Sequence, residues 1–169
     1  VTPFFIIIML KNTIFYKLCS LFIFFIGSFS DFLDGYLARK YNNISTIGKY
    51  IDPLADKILV LSGFYILYLY YPGVIKLWMV SLIFFRDISV TILRNYLINN
   101  NMEVKTSFFA KSKTLLQIIV IHIFLIFHIY NPLYLVNYNF FYLLMMTTVL
   151  ITILSAFPYF RALSSNENY

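Results

Sequence analysis

Apolar and polar positions fall along this chain in long blocks. Runs near the roughly 20 apolar residues that a helix needs to cross a bilayer are separated by short breaks rich in charge, Pro, Gly or Asn. The pattern predicts helices at about 1–10, 18–38, 46–70, 76–97, 107–130 and 136–160. Tyr71-Pro72-Gly73 ends the third, Asn99-Asn100-Asn101 the fourth and Asn131-Pro132 the fifth, and a polar tail, Ser164 to Tyr169, follows the sixth. The opening run, Thr2 to Leu10, is about half a span and reads as the end of a first helix whose start is missing here. No basic segment precedes it and no small-residue cleavage site follows, which disfavours a signal peptide. The expectation is an all-α membrane protein, a bundle of six transmembrane helices with an N-terminally truncated first helix. Without a repeat, a linker or a soluble segment, residues 1–169 read as a single membrane domain.

Composition strengthens this reading. The hydrophobic fraction is 61% and the charged fraction 12%, against about 45–50% and about 25% in soluble domains. The lone Cys19 lies in an apolar run and reads as a buried, inert thiol. Basic residues are unequally shared between the two sides of the expected bundle. Arg39, Lys40, Lys49, Lys57, Arg94, Lys105, Lys111, Lys113 and Arg161 fall on one side, Lys11, Lys17 and Lys76 on the other, and Arg86 lies within the fourth span. Cytoplasmic loops carry the excess of Lys and Arg, so the first group is expected in the cytoplasm. A net charge of +6 suits anionic lipid headgroups. Nucleic acid is a poor partner for a chain with no soluble basic domain.

The acidic residues are few and clustered. Four of the five aspartates, Asp31, Asp34, Asp52 and Asp56, fall within 26 residues at the mouths of two helices. An ionisable group within a span costs a few kcal/mol and points to a functional site. Four carboxylates together repel and raise one another's pKa, so a cation has to hold them. At about 100° per residue, Asp31, Asp34, Gly35 and Ala38 form one stripe of the second helix, with Arg39 at its edge. Gly48, Asp52 and Asp56 form a narrow stripe of the third. The short connection Arg39–Ser45 makes the two helices antiparallel neighbours, so the stripes can face each other. Hard oxygen donors suit Mg²⁺ or Mn²⁺. Four carboxylates neutralise two such ions, the set that clamps both oxygens of a phosphoryl-type displacement. Asp31 lies eight residues before Arg39, about 12 Å deeper, so a lipid could enter from the side and a soluble partner from the cytosol. Gly35 and Gly48 leave room where helices and ligand meet. Arg39 offers a forked donor to phosphate, and Pro53 frees a carbonyl beside the cavity.

These residues carry a resemblance. Asp31-x2-Asp34-Gly35-x2-Ala38-Arg39-x8-Gly48-x3-Asp52-x3-Asp56 is similar, position for position, to the motif of the CDP-alcohol phosphatidyltransferases. The text around it extends the likeness over nearly the whole chain: Ser30 to Lys40, Ile51 to Lys57, Arg86-Asp87-Ile88-Ser89 through Leu93-Arg94, and Lys111-x-Lys113-Thr114-x2-Gln117. The resemblance implies six transmembrane helices, a homodimer and a two-metal site facing the cytoplasm of a bacterium from its inner (plasma) membrane. It implies Asp31, Asp34, Asp52 and Asp56 as metal ligands, Asp56 also as general base, and Asp31, Gly35, Ala38, Arg39 and Gly48 around the CDP group. The relatives' Asn/Thr/Arg-containing stretch before the first helix has no counterpart here.

The implied reaction moves a phosphatidyl group from CDP-diacylglycerol to an alcohol and releases CMP. The flanking text favours glycerol 3-phosphate, giving phosphatidylglycerol phosphate; phosphatidylglycerol, inositol phosphate and serine are the alternative acceptors. An acceptor phosphate needs cations, and Arg86, Arg94, Lys111 and Lys113 are the candidates. The bland alternatives are a structural ion pair for Arg86 and interfacial anchoring for Lys111 and Lys113, while Lys57 could simply offset the acidic cluster. Asp87 reads as a charge-balancing partner. His122 and His128, six apart on an apolar helix, do not share a face and read as structural. Trp78 reads as an interfacial anchor. A membrane prenyltransferase would hold its aspartates on helices distant in sequence, and a cation transporter would place carboxylates mid-membrane. Neither fits this cluster.

Overall fold

The computed structural model describes the backbone of residues 2–11, 13–41, 48–99, 108–130 and 137–166, and the side chains of 2–11, 13–30, 33, 57–97, 112–130 and 137–161. The described residues form helices α1 (Thr2–Met9), α2 (Ile14–Tyr41), α3 (Gly48–Tyr70), α4 (Leu77–Asn99), α5 (Phe108–Tyr130), α6 (Tyr138–Leu154) and α7 (Phe157–Asn166). Helix α2 begins at Ile14, ahead of the expected start near 18, because Lys17 is accepted inside the helix and is only 9% exposed. A lysine stem buries well against apolar neighbours.

The expected single helix over 136–160 is corrected. It breaks at Ser155–Ala156, and α7 continues through Ser164 and Ser165 into the stretch read as a polar tail. Pro158 explains the break: it has no N–H for the Leu154 carbonyl, and its ring clashes with that carbonyl in a straight helix. The backbone tightens instead, with Ala156 N donating to the Ile153 carbonyl at 2.9 Å. Ser155 Oγ donates to the Thr152 carbonyl at 2.6 Å.

Helix α3 is central, packing on α1, α2, α4 and α5, while α6 packs on α4 and α5. The core between them is apolar and aromatic. Phe5 and Phe24 meet at 5.3 Å and Phe124 and Phe141 at 5.0 Å, all four buried. Gly63 marks the tightest approach. A Cβ there would stand 3.0 Å from Ile121 Cδ1 and 3.1 Å from Phe24 Cε2, so α2 and α5 close on α3 at a point where only glycine fits without a shift.

The outer surface is as apolar as the core. Phe22, Phe85, Leu143 and Phe157 are 62%, 63%, 63% and 67% exposed. Exposed apolar residues on helix after helix exceed what a water-facing surface carries. The segments Ser112–Tyr130 and Tyr138–Arg161 are long and apolar enough to cross a bilayer. Among the described residues the regular structure is all helical, and the chain is membrane-associated.

Polar contacts define two ends of the bundle. At one end Ser20 Oγ donates to Met9 Sδ at 3.3 Å, and the Tyr70 hydroxyl donates to the Met9 carbonyl at 2.6 Å. There the Tyr71 hydroxyl bonds His128 Nδ1 at 2.6 Å. This gathers the end of α1, the start of α2 and the ends of α3 and α5. At the other end Lys57 of α3, Asp87 and Thr91 of α4, Lys113 of α5 and Ser155 beyond α6 come together. Lys11 and Lys17 fall at the first end; Lys57, Arg94 and Lys113 fall at the second, as the unequal basic loops predicted.

Candidate active site

The constellation is carried by the two helices expected. Asp31, Asp34, Gly35, Ala38 and Arg39 lie on the last turns of α2, and Gly48, Asp52 and Asp56 on the first turns of α3, which runs through Pro53. Their side chains lie outside the described residues, as does that of Lys111. The helices are in contact and antiparallel, since the start of α2 and the end of α3 both meet Met9. Their register is set where Phe24 meets Gly63. Each step forward along α2 is then matched by one step back along α3. Counting seven residues on from that contact along each helix reaches Asp31 on α2 and Asp56 on α3, so both fall toward the same end of the antiparallel pair. The donor set at this end is all carboxylate oxygen, which fits hard divalent ions. Among the described side chains no group of three or more His, Cys, Asp or Glu gathers.

Lys57 follows Asp56 directly on α3. Lys57 Nζ crosses to α4, bonding Thr91 Oγ1 and the Asp87 carbonyl, the latter at 3.3 Å. Thr91 Oγ1 donates to that same carbonyl at 2.6 Å. The Asp87 carboxylate takes Lys113 Nζ from α5 and Arg86 Nη1 at 3.1 Å, both on Oδ1. Arg86 Nη2 donates to Ser155 Oγ at 2.7 Å, and Gln117 Nε2 donates to Thr152 Oγ1 at 3.0 Å. A chain of polar contacts thus joins α3, α4 and α5 to the break after α6. It lies deep: Asp87 is 4% exposed and Lys113 6%. Buried ions are tolerated only when paired and hydrogen-bonded. Here two cations share one carboxylate, and among the described residues Arg86 Nε has no hydrogen-bond partner. Among the described side chains the cluster carries an excess of positive charge.

Of the cations expected around an acceptor phosphate, the structure brings Arg86 and Lys113 together on Asp87. Arg94 is exposed two turns further along α4. The bonds of Lys57 across to α4 show that it does more than offset nearby aspartates. Ser155 had no sequence signal at all, since it lies 69 positions from Arg86.

Residues 1–154 match the CDP-alcohol phosphatidyltransferase family. The chain belongs to that family. It is 37% identical over 138 residues to the CDP-diacylglycerol–glycerol-3-phosphate 3-phosphatidyltransferase of Bacillus subtilis strain 168, covering 82% of this chain and 69% of that protein. The protein of that name from Rickettsia bellii is 40% identical over 101 residues, 60% of this chain and 55% of the relative. Another from Wigglesworthia glossinidia brevipalpis is 35% identical over 129 residues, 72% of this chain and 68% of the relative. The chain thus spans between 55% and 69% of the length of these relatives. For a phosphatidyltransferase of this family, one arrangement has chemical meaning. The aspartate positions of α2 and α3 fall at one end of the antiparallel pair, and Lys57, one residue beyond Asp56, joins a buried, cation-rich cluster.

Proposed function

We propose that this chain transfers the phosphatidyl group of CDP-diacylglycerol to glycerol 3-phosphate, giving phosphatidylglycerol phosphate and CMP. The observation that carries the acceptor is the cluster in which Arg86 and Lys113 share the single carboxylate of Asp87, joined through Lys57 to the helix that carries Asp56. A phosphomonoester carries about −1.5 to −2 charge at neutral pH and supplies the anion that this excess calls for. A neutral or zwitterionic alcohol such as serine does not. The names of the relatives agree with this acceptor.

In this reading Asp31, Asp34, Asp52 and Asp56 hold two Mg²⁺ or Mn²⁺ ions. When bound, the ions offset the pyrophosphate charge and make the lipid-side phosphorus more electrophilic. Gly35, Ala38 and Gly48 leave space for the CDP group beside Asp31, and Arg39 offers its fork to a phosphate oxygen. Arg86 and Lys113 fix the acceptor by its phosphate, with Arg94 and Lys111 nearer the mouth. The acceptor hydroxyl oxygen then bonds to the lipid-side phosphorus, its proton passes to the Asp56 carboxylate, and the bond to the CMP phosphate breaks. Holding both reactants at fixed positions removes much of the entropic barrier. The proposal includes six membrane crossings in a single domain, a bacterial inner membrane, a site facing the cytoplasm and a homodimer. The orientation is supported by the basic residues at the Lys57 end; the dimer rests on the family resemblance.

The test is CMP release by the purified chain with Mg²⁺ and CDP-diacylglycerol, offered glycerol 3-phosphate, inositol phosphate, serine or phosphatidylglycerol in turn. Glycerol 3-phosphate should be the productive acceptor, and Asp56→Asn should abolish turnover with CDP-diacylglycerol binding retained. Preferential release with another acceptor would refute the assignment.

A further inference from the structure

We infer that Asp87 is a positioning residue for the acceptor phosphate, holding the Arg86 and Lys113 head groups at fixed places through its one carboxylate. The inference rests on the acceptor site proposed above. Its basis is a contact that helix geometry does not provide by itself. Side chains at adjacent helical positions point about 100° apart and do not face each other. Yet Arg86 Nη1 reaches the carboxylate of its immediate neighbour at 3.1 Å. The guanidinium therefore folds sideways across α4, and its other end is fastened to Ser155 Oγ at 2.7 Å. Lys113 reaches the same Oδ1 from α5, where its own helix offers it no carboxylate.

Here a single oxygen orders two cations and neutralises only one of them. Among the described residues Arg86 Nε has no hydrogen-bond partner, so a buried donor remains for a ligand. A phosphate arriving here meets donors already in place, so less ordering entropy is lost on binding than if two flexible side chains had to be collected. The main chain of Asp87 serves the same end separately. Its carbonyl receives Lys57 and Thr91, which fixes α4 against the helix that carries Asp56.

Asp87→Asn separates these roles, since it removes the charge and keeps the carbonyl. Expected is a rise of at least about tenfold in the KM for glycerol 3-phosphate, with the KM for CDP-diacylglycerol within about twofold of wild type. In a Lys113→Gln background, Asp87→Asn should add less than its full single effect, because part of its action runs through the lysine and the remainder through Arg86. Asp87→Glu, which keeps the charge but displaces it by one methylene, should show the same acceptor-selective rise at smaller size. It also serves if Asp87→Asn does not fold. Equal changes in both KM values, a loss of kcat alone, or full multiplication of the two single effects would overturn the inference. If wild type shows no release of CMP dependent on glycerol 3-phosphate, the acceptor reading falls and takes this inference with it. A normal wild type with unaltered Asp87 variants overturns the inference alone.

Discussion

Adding one methyl group at Gly63 should cost both stability and turnover, and the structure gives the size of each. The new Cβ of Gly63→Ala would lie 3.0 Å from Ile121 Cδ1, 3.3 Å from Ile121 Cγ2 and 3.1 Å from Phe24 Cε2. The two Ile121 atoms sit on different branches of a side chain that is stiff at χ1 in a helix. One rotation therefore cannot relieve both. Phe24 is held between Phe5 at 5.3 Å and His122 at 5.2 Å, so it cannot retreat freely. Overpacking of this kind costs about 1–3 kcal/mol, and the better helix propensity of alanine returns up to about 1 kcal/mol. The net loss is about 1 kcal/mol, or roughly 2–4 °C in Tm for a chain of this size. Thermal unfolding of the detergent-solubilised protein, followed by Trp78 fluorescence, measures it. Ile121→Val removes the nearest atom. On its own it costs about 0.5–1.5 kcal/mol, but with Gly63→Ala the two should fall short of additivity by at least about 0.5 kcal/mol. Turnover should drop about tenfold, because the methyl pushes α2 from α3 two turns from Asp56, and misplacement by an ångström costs up to about 10² in rate. An unchanged or raised Tm, or strict additivity with Ile121→Val, would refute the reasoning.

Other consequences are open to direct measurement. Tyr71→Phe removes the hydroxyl partner of the buried His128 Nδ1 and should lower stability by about 1–3 kcal/mol, read as a Tm shift with activity retained. Pro158→Ala gives residue 158 an N–H for the Leu154 carbonyl. It should raise Tm while increasing the KM for glycerol 3-phosphate, because Ser155 moves off Arg86; a rise in Tm with unchanged KM would separate the break from the site. Gln117→Leu strands Thr152 Oγ1 without its donor and should destabilise by about 1 kcal/mol. Chelation with EDTA should abolish CMP release and Mg²⁺ should restore it, if the aspartates hold metal as proposed.

The helices were legible because apolar runs ended at Pro, Gly and Asn clusters, and α3 and α5 begin and end within two residues of the expected bounds. The start of α2 was missed because a lysine looks like a boundary, although its long stem can lie along an apolar helix. The break at Ser155 was missed because hydrophobicity continues across it. A proline in an apolar run leaves no trace in a polarity pattern, although its backbone consequence is severe. Within the site, the helical spacing of the aspartates was readable in one dimension. Arg86 and Lys113 were each readable as candidates. Their convergence on Asp87 was not, because it depends on how α4 and α5 pack, and that information is spread over the apolar contacts between them. Asp87 was read as a charge-balancing partner; the structure supplies its partners and shows that there are two of them.

The one-for-one register set at Phe24 and Gly63 has a consequence for how such a gene can change. Between that contact and Asp31 on one helix and Asp56 on the other, each helix contributes six residues. Point changes on the lipid-facing side of this stretch alter little beyond an exchange of one apolar group for another. Inserting or deleting a single codon is a different event. It turns everything beyond it by about 100° and slides it by about 1.5 Å, so in the proposed two-helix site one carboxylate stripe would leave its counterpart while the fold survives. The stretch should therefore accept many spellings and only one length. A library of single-codon deletions across residues 25–30 and 57–62 should yield folded, inactive protein throughout.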